Sequence, residues 1–391
     1  MSQAYIAGVG MIPFLKPGKS ETYEKMAEAA VRAALADAGI DYSQIEEAAV
    51  GYTMGDSCNG QEALYRLGLT GIPIVNVENA CASGSSAVYL MRRAVESGDA
   101  DIAIAVGFEQ MPQGSPMNSF ADRPMFSKIK EATRAIQGWE EDTAIPLQVF
   151  GGAYNELKRQ YGYQDETFAM LSVKSRAHAQ HNPYALFRET TTVEAVLNSK
   201  PIWGPLTLFQ CSPSTCGAAA AIIVSERVKR RLGLDRAVRI AGQALATDVD
   251  ESFSSMSMCD VVGAKVSARA AAKAFDLASV GPEDVDVVEL HDCFTPNEIV
   301  CYEALGFTKP GESEKFIVEK QNTYGGRVVV NPSGGLLSKG HPIGATGIAQ
   351  MCELVWQLRG EAGKRQVEGA RVAMQHNVGL GGASVVTILR K

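Results

Sequence analysis

The sequence has little of what marks nucleic-acid-binding, membrane or secreted proteins. It has no dense block of lysine and arginine, and its formal net charge is -7, so nucleic acid is not an expected partner. No apolar run reaches the roughly 20 residues that a membrane-spanning helix needs. The apolar start has no basic stretch, and the last four residues, 388–391, are not a Ser-Lys-Leu address. We therefore expect a cytoplasmic protein with no membrane span, no signal peptide and no C-terminal peroxisomal address.

Cysteine and histidine are also sparse. The eight cysteines are spread over 391 residues, unlike the dense pattern of a disulfide framework, so we expect free thiols in a reducing compartment. Neither a Cys-x-x-Cys nor a His-x-x-x-His pair occurs, so we expect no bound metal. Of the five histidines, His178 and His181 precede an Asn-Pro turn, and we expect both to be solvated at a helix end.

Strand-like and helix-like segments alternate along the chain. Residues 4–9, 47–53 and 100–107 have the composition of buried strands, and apolar residues recur at helical spacing over 23–38. This alternation predicts an α/β fold with a parallel sheet covered on both faces. Between 112 and 204 the pattern becomes mainly helical, which indicates an inserted segment.

Two parts of the chain repeat the same order of elements. Residues 34–51 match 274–291 at a constant offset of 240 positions, and residues 81–87 match 341–347. The chain therefore divides into two similar halves. The expected units are residues 1–111 plus 205–232, a loop domain at 112–204, and residues 233–391. Two such halves packed together would set two helix starts side by side and bring Cys81 to His341.

The segment 79–87, Asn-Ala-Cys-Ala-Ser-Gly-Ser-Ser-Ala, is the first candidate site. It joins a predicted strand to a helix through a tight turn, and small residues beside Cys81 leave room for a substrate. The unpaired N–H groups of a helix start favour a thiolate, so Cys81 is a candidate nucleophile. The alternative is a buried structural cysteine, the commoner fate of a free thiol.

Three further stretches carry candidate residues. Glycine before and proline after His341 impose a defined turn, from which the imidazole can act as a base toward a thiol. His291 and Cys293 follow a predicted strand, where open α/β sheets bind ligands, and their spacing points both to one side. A metal held by these two and a third ligand is a weaker alternative.

A glycine-rich segment lies near the C-terminus. Residues 375–382 form a predicted bend between strands at 371–374 and 383–389. Such a bend can aim a bare backbone N–H at a developing oxyanion. A dinucleotide site is rejected because the Gly-x-Gly-x-x-Gly turn from strand to helix is missing.

These motifs together resemble the thiolases, specifically the sterol-carrier-protein type. The similarity covers nearly the whole chain. It is carried by Asn-x-Cys-Ala-x-Gly at 79–84, His-Asp-Cys-Phe at 291–294, Gly-His-Pro-x-Gly at 340–344 and His-Asn-x-Gly-Leu-Gly-Gly at 376–382. The resemblance implies a thiolase fold, in which two βαβαβαββ halves form a five-layer α-β-α-β-α arrangement with an inserted loop domain. His-Asp-Cys-Phe marks this branch, and position 377 has no cysteine, so the second reactive thiol is expected to be Cys293.

The resemblance also implies an activity and a role for each site residue. The chain is expected to be a 3-oxoacyl-CoA thiolase that cleaves its substrate through an acyl-Cys81 intermediate, with coenzyme A as substrate or product and no permanently bound cofactor. His341 is the expected base and an oxyanion donor, His291 a second donor, Cys293 the acid and base, and Gly379 a backbone donor. A homodimer or tetramer is expected, with strand 100–107 as the pairing strand.

Other interpretations remain open from the sequence. One is a biosynthetic thiolase that forms acetoacetyl-CoA. Another is a non-catalytic, lipid-binding or scaffolding subunit that retains the fold. Condensing enzymes of the same fold use a cysteine with two histidines and need no second thiol, so Cys293 argues against them. Aldol-cleaving relatives usually lack the reactive cysteine, whereas Cys81 is present.

Overall fold

The structure is a computed structural model that describes residues 3–114 and 123–391. Residues 115–122, which belong to the predicted loop domain, and residues 1–2 of the predicted first unit lie outside the described residues. None of the helices in the described ranges is both long enough and apolar enough to cross a membrane.

Strands and helices alternate as the sequence predicts. The strands are β1 Ala4–Met11, β2 Glu47–Gly51, β3 Ile74–Val77, β4 Ile102–Glu109, β5 Pro201–Trp203, β6 Leu206–Thr207, β7 Gly217–Ser225, β8 Val238–Thr247, β9 Val287–Glu289, β10 Val329–Val330, β11 Val372–Gly379 and β12 Ala383–Arg390. The helices are α1 Tyr23–Ala38, α2 Asn59–Tyr65, α3 Ser83–Ser97, α4 Ser127–Gln137, α5 Ile145–Tyr161, α6 Asp165–Ala179, α7 Val193–Leu197, α8 Glu226–Leu232, α9 Glu251–Ser254, α10 Met258–Val261, α11 Ala264–Ala278, α12 Thr295–Ala304, α13 Ser313–Val318, α14 Gly335–Ser338 and α15 Thr346–Arg359.

A ten-stranded sheet has the order β10-β9-β11-β12-β8-β1-β7-β4-β2-β3. Its two halves meet where β1 pairs with β8, through Tyr5 opposite Arg239 and Ile6 opposite Val238. Counted outward from this junction, both halves follow the same order, because β1, β2, β3, β4 and β7 correspond to β8, β9, β10, β11 and β12. Apart from short extra helices and the inserted segment, each half is therefore a βαβαβαββ unit, as the resemblance implies, and the two halves are similar, as the repeat predicts.

Three layers of helices alternate with the two halves of the sheet. In the middle, α3 and α15 pack on each other and on strands of both halves, through side chains such as Met91 and Leu354. Outside, α1 covers the first half and α11 the second, with Ala30 and Ala274 among the buried side chains. Burial of these apolar faces supplies the main driving force for this arrangement. It is the five-layer α-β-α-β-α architecture that the resemblance implies.

The segment between β4 and β7 contains α4 to α7 and the β5–β6 hairpin. Its apolar side chains, among them Val149 and Phe150, share one core with Ile299 of α12 and Val261 of α10. The inserted segment therefore packs on the second half of the chain. The domain boundaries given above stay a prediction.

Three predictions about strands are wrong. The sheet is mixed and not parallel, because β1, β7, β8 and β12 pair antiparallel with their neighbours. Strand β4, the predicted pairing strand of an oligomer, has β2 on one side and β7 on the other, so neither edge is free. The sheet ends instead at β3, whose outer edge has no neighbouring strand among the described residues. The segment 375–382 is also not all bend, since β11 continues to Gly379 and only the three residues 380–382 form the turn. Continued pairing with β12 keeps the histidine and asparagine of this segment inside the sheet.

A buried ion pair joins α15 to the first half of the chain. The Arg359 guanidinium donates to the Asp37 carboxylate at 2.7 Å, to the carbonyl of Ala7 at 2.8 Å and to the carbonyl of Arg236 at 2.9 Å. The Arg359 side chain is only 3% exposed. Asp37 also accepts from Arg236 at 3.1 Å, so loss of Arg359 would leave Asp37 paired but would remove the donor to the buried Ala7 carbonyl.

We expect Arg359→Met to lower the free energy of unfolding by about 1–3 kcal/mol, the range for leaving a buried hydrogen-bonding group without its partner. Chemical denaturation followed by circular dichroism measures this. The matched control is Arg32→Met, whose arginine is 60% exposed in an i,i+4 pair with Glu28, and we expect a change of about 0.5 kcal/mol or less. Equal effects of the two substitutions would contradict the structural role given to Arg359.

Candidate active site

A cavity of about 510 Å³ opens where loops of the two halves meet. Four of the five predicted site residues line it: Cys81, His291, Cys293 and His341. The fifth, Gly379, is not among the lining residues, but both of its neighbours are. Residues separated by up to 260 positions in the chain are therefore brought to one cavity, as the repeat predicts.

The starts of α3 and α15 approach each other closely at two glycines. A Cβ at Gly84 would lie 2.5 Å from the carbonyl oxygen of Gly344. A Cβ at Gly344 would lie 2.5 Å from the carbonyl oxygen of Phe108. A side chain at Gly84 would push α3 away from the turn before α15, and one at Gly344 would push that turn off the end of β4, so both positions need glycine. This close approach sets Cys81, just before α3, opposite His341, just before α15.

Cys81 lies on a tight turn that the backbone holds in place. Ala80 has a positive φ of 47°, which is unusual for a residue with a side chain. The turn is closed by the Ala82 N–H donating to the Asn79 carbonyl at 3.0 Å and by the Ser83 hydroxyl donating to the Ala80 carbonyl at 2.7 Å. Backbone strain of this kind is common at functional sites, where it fixes a reactive side chain.

Cys81 and His341 are in direct contact. The sulfur lies 3.2 Å from Nε2 of His341, and Nδ1 of the same ring lies 2.7 Å from the Thr346 hydroxyl. That hydroxyl donates its own proton to the Pro342 carbonyl at 3.0 Å, so it can only accept from the imidazole. The ring therefore carries its proton on Nδ1, and the lone pair of Nε2 faces the thiol.

Burial keeps both groups of this pair neutral. It raises the pKa of Cys81 to about 12, although the Leu380 N–H points at the sulfur and acts in the opposite direction. It lowers the pKa of His341 to about 3. The backbone donors favour the thiolate, as expected, but desolvation outweighs them. The thiol needs a base to react, and His341 is in position to be that base.

His291 lies beside His341 on the cavity wall. The two rings meet edge to face with centroids 5.1 Å apart, and the Asn377 amide nitrogen lies 2.9 Å from Nδ1 of His291. Burial, together with the neighbouring histidines, lowers the pKa of His291 well below its usual value. The ring is therefore a neutral hydrogen-bonding group.

One cluster of potential metal ligands occurs among the described residues. Ligand atoms of Cys81, His291 and His341 lie within 4.8 Å of one another. Cys293, which belonged to the alternative metal site considered from the sequence, is not part of this cluster. The absence of a metal stays a prediction.

Cys293 is the second thiol of the cavity. The Cys293 carbonyl accepts from the Ser212 N–H at 2.8 Å. The ring of the next residue, Phe294, stacks on Phe150 with centroids 4.7 Å apart, so contacts on both sides of this peptide hold the backbone in place. Burial and then the nearby Cys81 sulfur raise the pKa of Cys293 well above that of a free thiol. At neutral pH this side chain therefore holds a proton that it could donate.

Gly379 is placed against the Cys81 turn. A Cβ at this position would overlap the carbonyl oxygen of Asn79 and lie 3.2 Å from the Ala82 nitrogen. The absent side chain thus allows the end of β11 to reach the turn. The backbone donor that contacts the Cys81 sulfur is the N–H of Leu380, a residue that the sequence did not single out.

Three other residues of the site were missed. Glu109 ends β4 and accepts from the N–H groups of Met54 and Gly344, so it ties the loops of both halves together, and burial raises its pKa. Thr346 and Asn377 orient the two imidazoles. An acidic residue at the end of a buried strand was a usable signal for Glu109, whereas nothing local distinguishes the other two.

The prediction for His178 is wrong. This histidine is buried and is bonded to the Asn331 carbonyl at 3.0 Å and the Thr323 hydroxyl at 2.7 Å, and burial lowers its pKa to about 4. Its partners are about 150 positions away in the chain, so a local pattern could not reveal them. His181 is exposed, as predicted.

The fold and this site define the class of protein. Residues 4–227 match the family model described as Thiolase, N-terminal domain, and residues 247–391 match the model described as Thiolase C-terminal domain-like. The chain therefore belongs to the thiolase family.

Among its relatives, Sterol carrier protein 2 of Oryctolagus cuniculus is 46% identical over 396 residues, which cover 100% of this chain and 72% of that protein. Acetyl-CoA acetyltransferase of Methanothermobacter thermautotrophicus is 38% identical over 369 residues, which cover 92% of each chain.

Solved structures share the whole fold. The Ltp2-ChsH2(DUF35) aldolase matches with a TM-score of 0.83 at 25% identity, covering 100% of this chain and 98% of the other. Human mitochondrial 3-ketoacyl-CoA thiolase in complex with CoA matches with a TM-score of 0.75 at 18% identity, over 100% and 98% of the two chains. The predicted thiolase fold is thus confirmed.

The orientation of His341 by Thr346 gives a testable prediction. Thr346→Val keeps the volume but removes the acceptor for Nδ1–H, so the ring can turn or change tautomer. We expect the rate of Cys81 acylation by an acyl-CoA to fall by about tenfold to a hundredfold, as when other functional histidines lose an orienting partner. Stopped-flow mixing with mass-spectrometric detection measures this rate. Thr346→Ser retains the hydroxyl and should keep most of it, and an equal loss in both variants would contradict the assignment.

Proposed function

We propose that the chain is a 3-oxoacyl-CoA thiolase, which transfers an acyl group from a 3-oxoacyl-CoA to coenzyme A and releases acetyl-CoA. The observation that carries this proposal is the 3.2 Å contact between the Cys81 sulfur and Nε2 of His341, in a cavity that Cys293 also lines. One thiol beside a base suits acyl transfer, and a second thiol suits proton transfer to carbon.

In the first step His341 takes the proton of Cys81 on Nε2, and the thiolate attacks the C3 carbonyl of the substrate. Backbone N–H groups at the start of α3 and at the end of β11, including that of Gly379, stabilise the oxyanion. The bond between C2 and C3 then breaks, which leaves an acyl thioester on Cys81 and the enolate of acetyl-CoA. One preorganised oxyanion donor typically contributes about a hundredfold to a thousandfold in rate.

The enolate is then protonated on carbon. The proton that His341 has received on Nε2 and a ring N–H of His291 are donated to the enolate oxygen as hydrogen bonds. Cys293 transfers its own proton to the carbon, which completes acetyl-CoA and leaves a Cys293 thiolate. The raised pKa of Cys293 supports this role, because a neutral thiol is the form needed.

Coenzyme A completes the cycle. Its thiol gives a proton to Cys293 and attacks the acyl thioester, while His341 returns its proton to the departing Cys81 sulfur. All protons are then back in place, and no redox step is involved. Run in reverse, the same groups catalyse a Claisen condensation.

The shape and lining of the cavity support an acyl substrate. Its volume of about 510 Å³ lies within the usual range for small-molecule sites. Its walls are mainly apolar, with Met54, Met125, Phe150 and Ile343 among them. The relative named an acetyl-CoA acetyltransferase and the CoA-bound thiolase structure further support coenzyme A as a substrate or product of this chain. We also propose a homodimer or tetramer, and a cytoplasmic location.

Acetoacetyl-CoA formation remains an alternative direction of the same chemistry. A scaffolding or lipid-carrying role is a different class, and it predicts no covalent step. Mass spectrometry after mixing with acetyl-CoA separates the two, because an enzyme should gain one acetyl group on Cys81 whereas a scaffold should gain none.

Replacement of the two thiols should impair different steps of the reaction. Cys81→Ala removes the nucleophile, so we expect no acyl adduct and no cleavage of a 3-oxoacyl-CoA. Cys293→Ala should still accept an acyl group from a simple acyl-CoA on Cys81. Its carbon–carbon cleavage should fall by about a hundredfold to ten-thousandfold, the usual contribution of a positioned acid or base. Loss of substrate absorbance and mass spectrometry of the Cys81 peptide measure the two steps.

Cys352→Ala is the matched control for the loss of a buried thiol. Cys352 lies on α15, and its sulfur bonds to the Gly10 carbonyl at 3.6 Å, with no part in lining the cavity. Both steps should continue at close to the wild-type rate in this variant. Full cleavage activity in Cys293→Ala would contradict the role given to the second thiol.

A further inference from the structure

A line of buried polar side chains runs from α15 to His291. Each of its members is at most 1% exposed, and each bonds to the next: Gln350, Gln375, Ser85, Asn377 and His291. The mechanism above uses only the last of them. Because water has no access to these groups, each donor should meet an acceptor of the protein, and this requirement fixes the direction of each hydrogen bond.

The direction of these hydrogen bonds is set at the Gln350 end of the line, where a backbone carbonyl accepts. The side-chain amide of Gln350 contacts the carbonyl oxygen of His376 at 3.1 Å. A carbonyl can only accept, so Gln350 must present its NH₂ group there and its oxygen toward Gln375. Gln375 must then present its own NH₂ group to Gln350, at 2.8 Å. The Thr387 hydroxyl, which donates to the oxygen of Gln375 at 3.2 Å, agrees with this orientation.

The same direction continues to the imidazole. The NH₂ group of Gln375 also donates to the Ser85 hydroxyl oxygen at 2.8 Å, so the proton of this hydroxyl is directed to the Asn377 oxygen, also at 2.8 Å. Asn377 is thereby held with its NH₂ group facing Nδ1 of His291 at 2.9 Å. A ring nitrogen that receives a donor carries no proton of its own. The proton of the neutral ring is therefore on Nε2.

We propose that this hydrogen-bond relay, Gln350–Gln375–Ser85–Asn377, sets the tautomer of His291 and so makes its Nε2–H a fixed donor at the cavity. The four relay residues are positioning residues, since they act only through His291. They come from three elements: α3, α15 and β11. The two halves of the chain are both needed to complete the relay.

The position of Gly347, near the start of α15, supports the proposal independently. A Cβ at Gly347 would overlap the Ser85 hydroxyl and lie 2.7 Å from the Asn377 oxygen. The start of α15 is thus shaped around the Ser85–Asn377 bond. The absent side chain at Gly347 leaves the room that this bond occupies.

The relay has a chemical consequence that rests on the proposed function. An Nε2–H can donate to the enolate oxygen, whereas the other tautomer would present a lone pair to a negatively charged group. The same proton occupies the nitrogen that a metal would need. His291 is thus prepared to stabilise an anion and not to act as a base or a metal ligand.

The direct test is the tautomer itself. With uniformly ¹⁵N-labelled histidine, long-range ¹H–¹⁵N spectra report which ring nitrogen is protonated, and His291→Gln identifies the His291 signals among the five histidines. We expect Nε2–H in the wild-type protein. Gln375→Glu places an acceptor where an NH₂ group was, so the Ser85 proton should turn toward residue 375 and the Asn377 amide should invert. We expect His291 to shift to the Nδ1–H form in this variant.

Kinetics provide the second readout. Gln375→Glu and Asn377→Leu should lower kcat for carbon–carbon cleavage by about a hundredfold to a thousandfold, the cost of one oxyanion donor. Acylation of Cys81 by a simple acyl-CoA, which does not use His291, should change less than threefold. Thr387→Val is the matched control. It removes a buried hydroxyl from the same cluster but leaves the relay's direction unchanged, so tautomer and kcat should both be retained.

Failure of this inference is distinguishable from failure of the proposed function. An Nδ1–H signal for His291 in the wild-type protein would overturn the relay even if the chain is a thiolase. Retention of Nε2–H in both Gln375→Glu and Asn377→Leu would overturn it as well. If the protein has no thiolase activity, the spectra still test the relay, because the tautomer of His291 does not depend on turnover.

Discussion

The close approach of two helix starts is the constraint on which the rest of the structure depends. Gly84 lets the start of α3 contact the turn before α15, and Gly344 lets that turn lie against the ends of β2 and β4, so a larger side chain at either position would displace the turn. This close approach brings Cys81 and His341 to 3.2 Å although the chain separates them by 260 positions. The repeat of the βαβαβαββ unit produces this geometry, because equivalent turns of two similar halves meet at the starts of the two middle-layer helices.

Burial determines how the site works. The thiols of Cys81 and Cys293 hold their protons, and the imidazoles of His291 and His341 are neutral, because each charged form lacks water to stabilise it. Charge therefore appears only during reaction, next to donors that are already oriented. Thr346 orients one imidazole and Asn377 the other, so the two rings carry their protons on opposite nitrogens. In the proposed function, this difference supplies a base and a donor from two neighbouring residues of the same type.

Much of the fold and part of the site could be predicted from the sequence. Apolar periodicity and the offset repeat revealed the two halves, and glycine or proline beside Cys81 and His341 marked the turns that carry them. These signals are local, because each depends on the types of a few residues that are close together in the sequence. The predicted roles of these residues rest on resemblance and await experiment.

The parts that could not be predicted depend on long-range contacts. Ser85 meets Asn377 across 292 positions, and His178 is buried by partners far along the chain. The pairing of β4 on both edges likewise follows from the return of β7, which no pattern in the strand itself reveals. The desolvation that raises the pKa of Cys81 is also hidden, because a helix start is visible in a sequence and the depth of burial is not.

The most direct test of the account is a single turnover. The protein is mixed with one equivalent of a 3-oxoacyl-CoA in the absence of free coenzyme A, and the products are followed by mass spectrometry. The account predicts equal amounts of acetyl-CoA and of an acyl group bound to Cys81, both formed within the time of one turnover. Release of free coenzyme A with a 3-oxo acid, or an unmodified Cys81 with intact substrate, would contradict it.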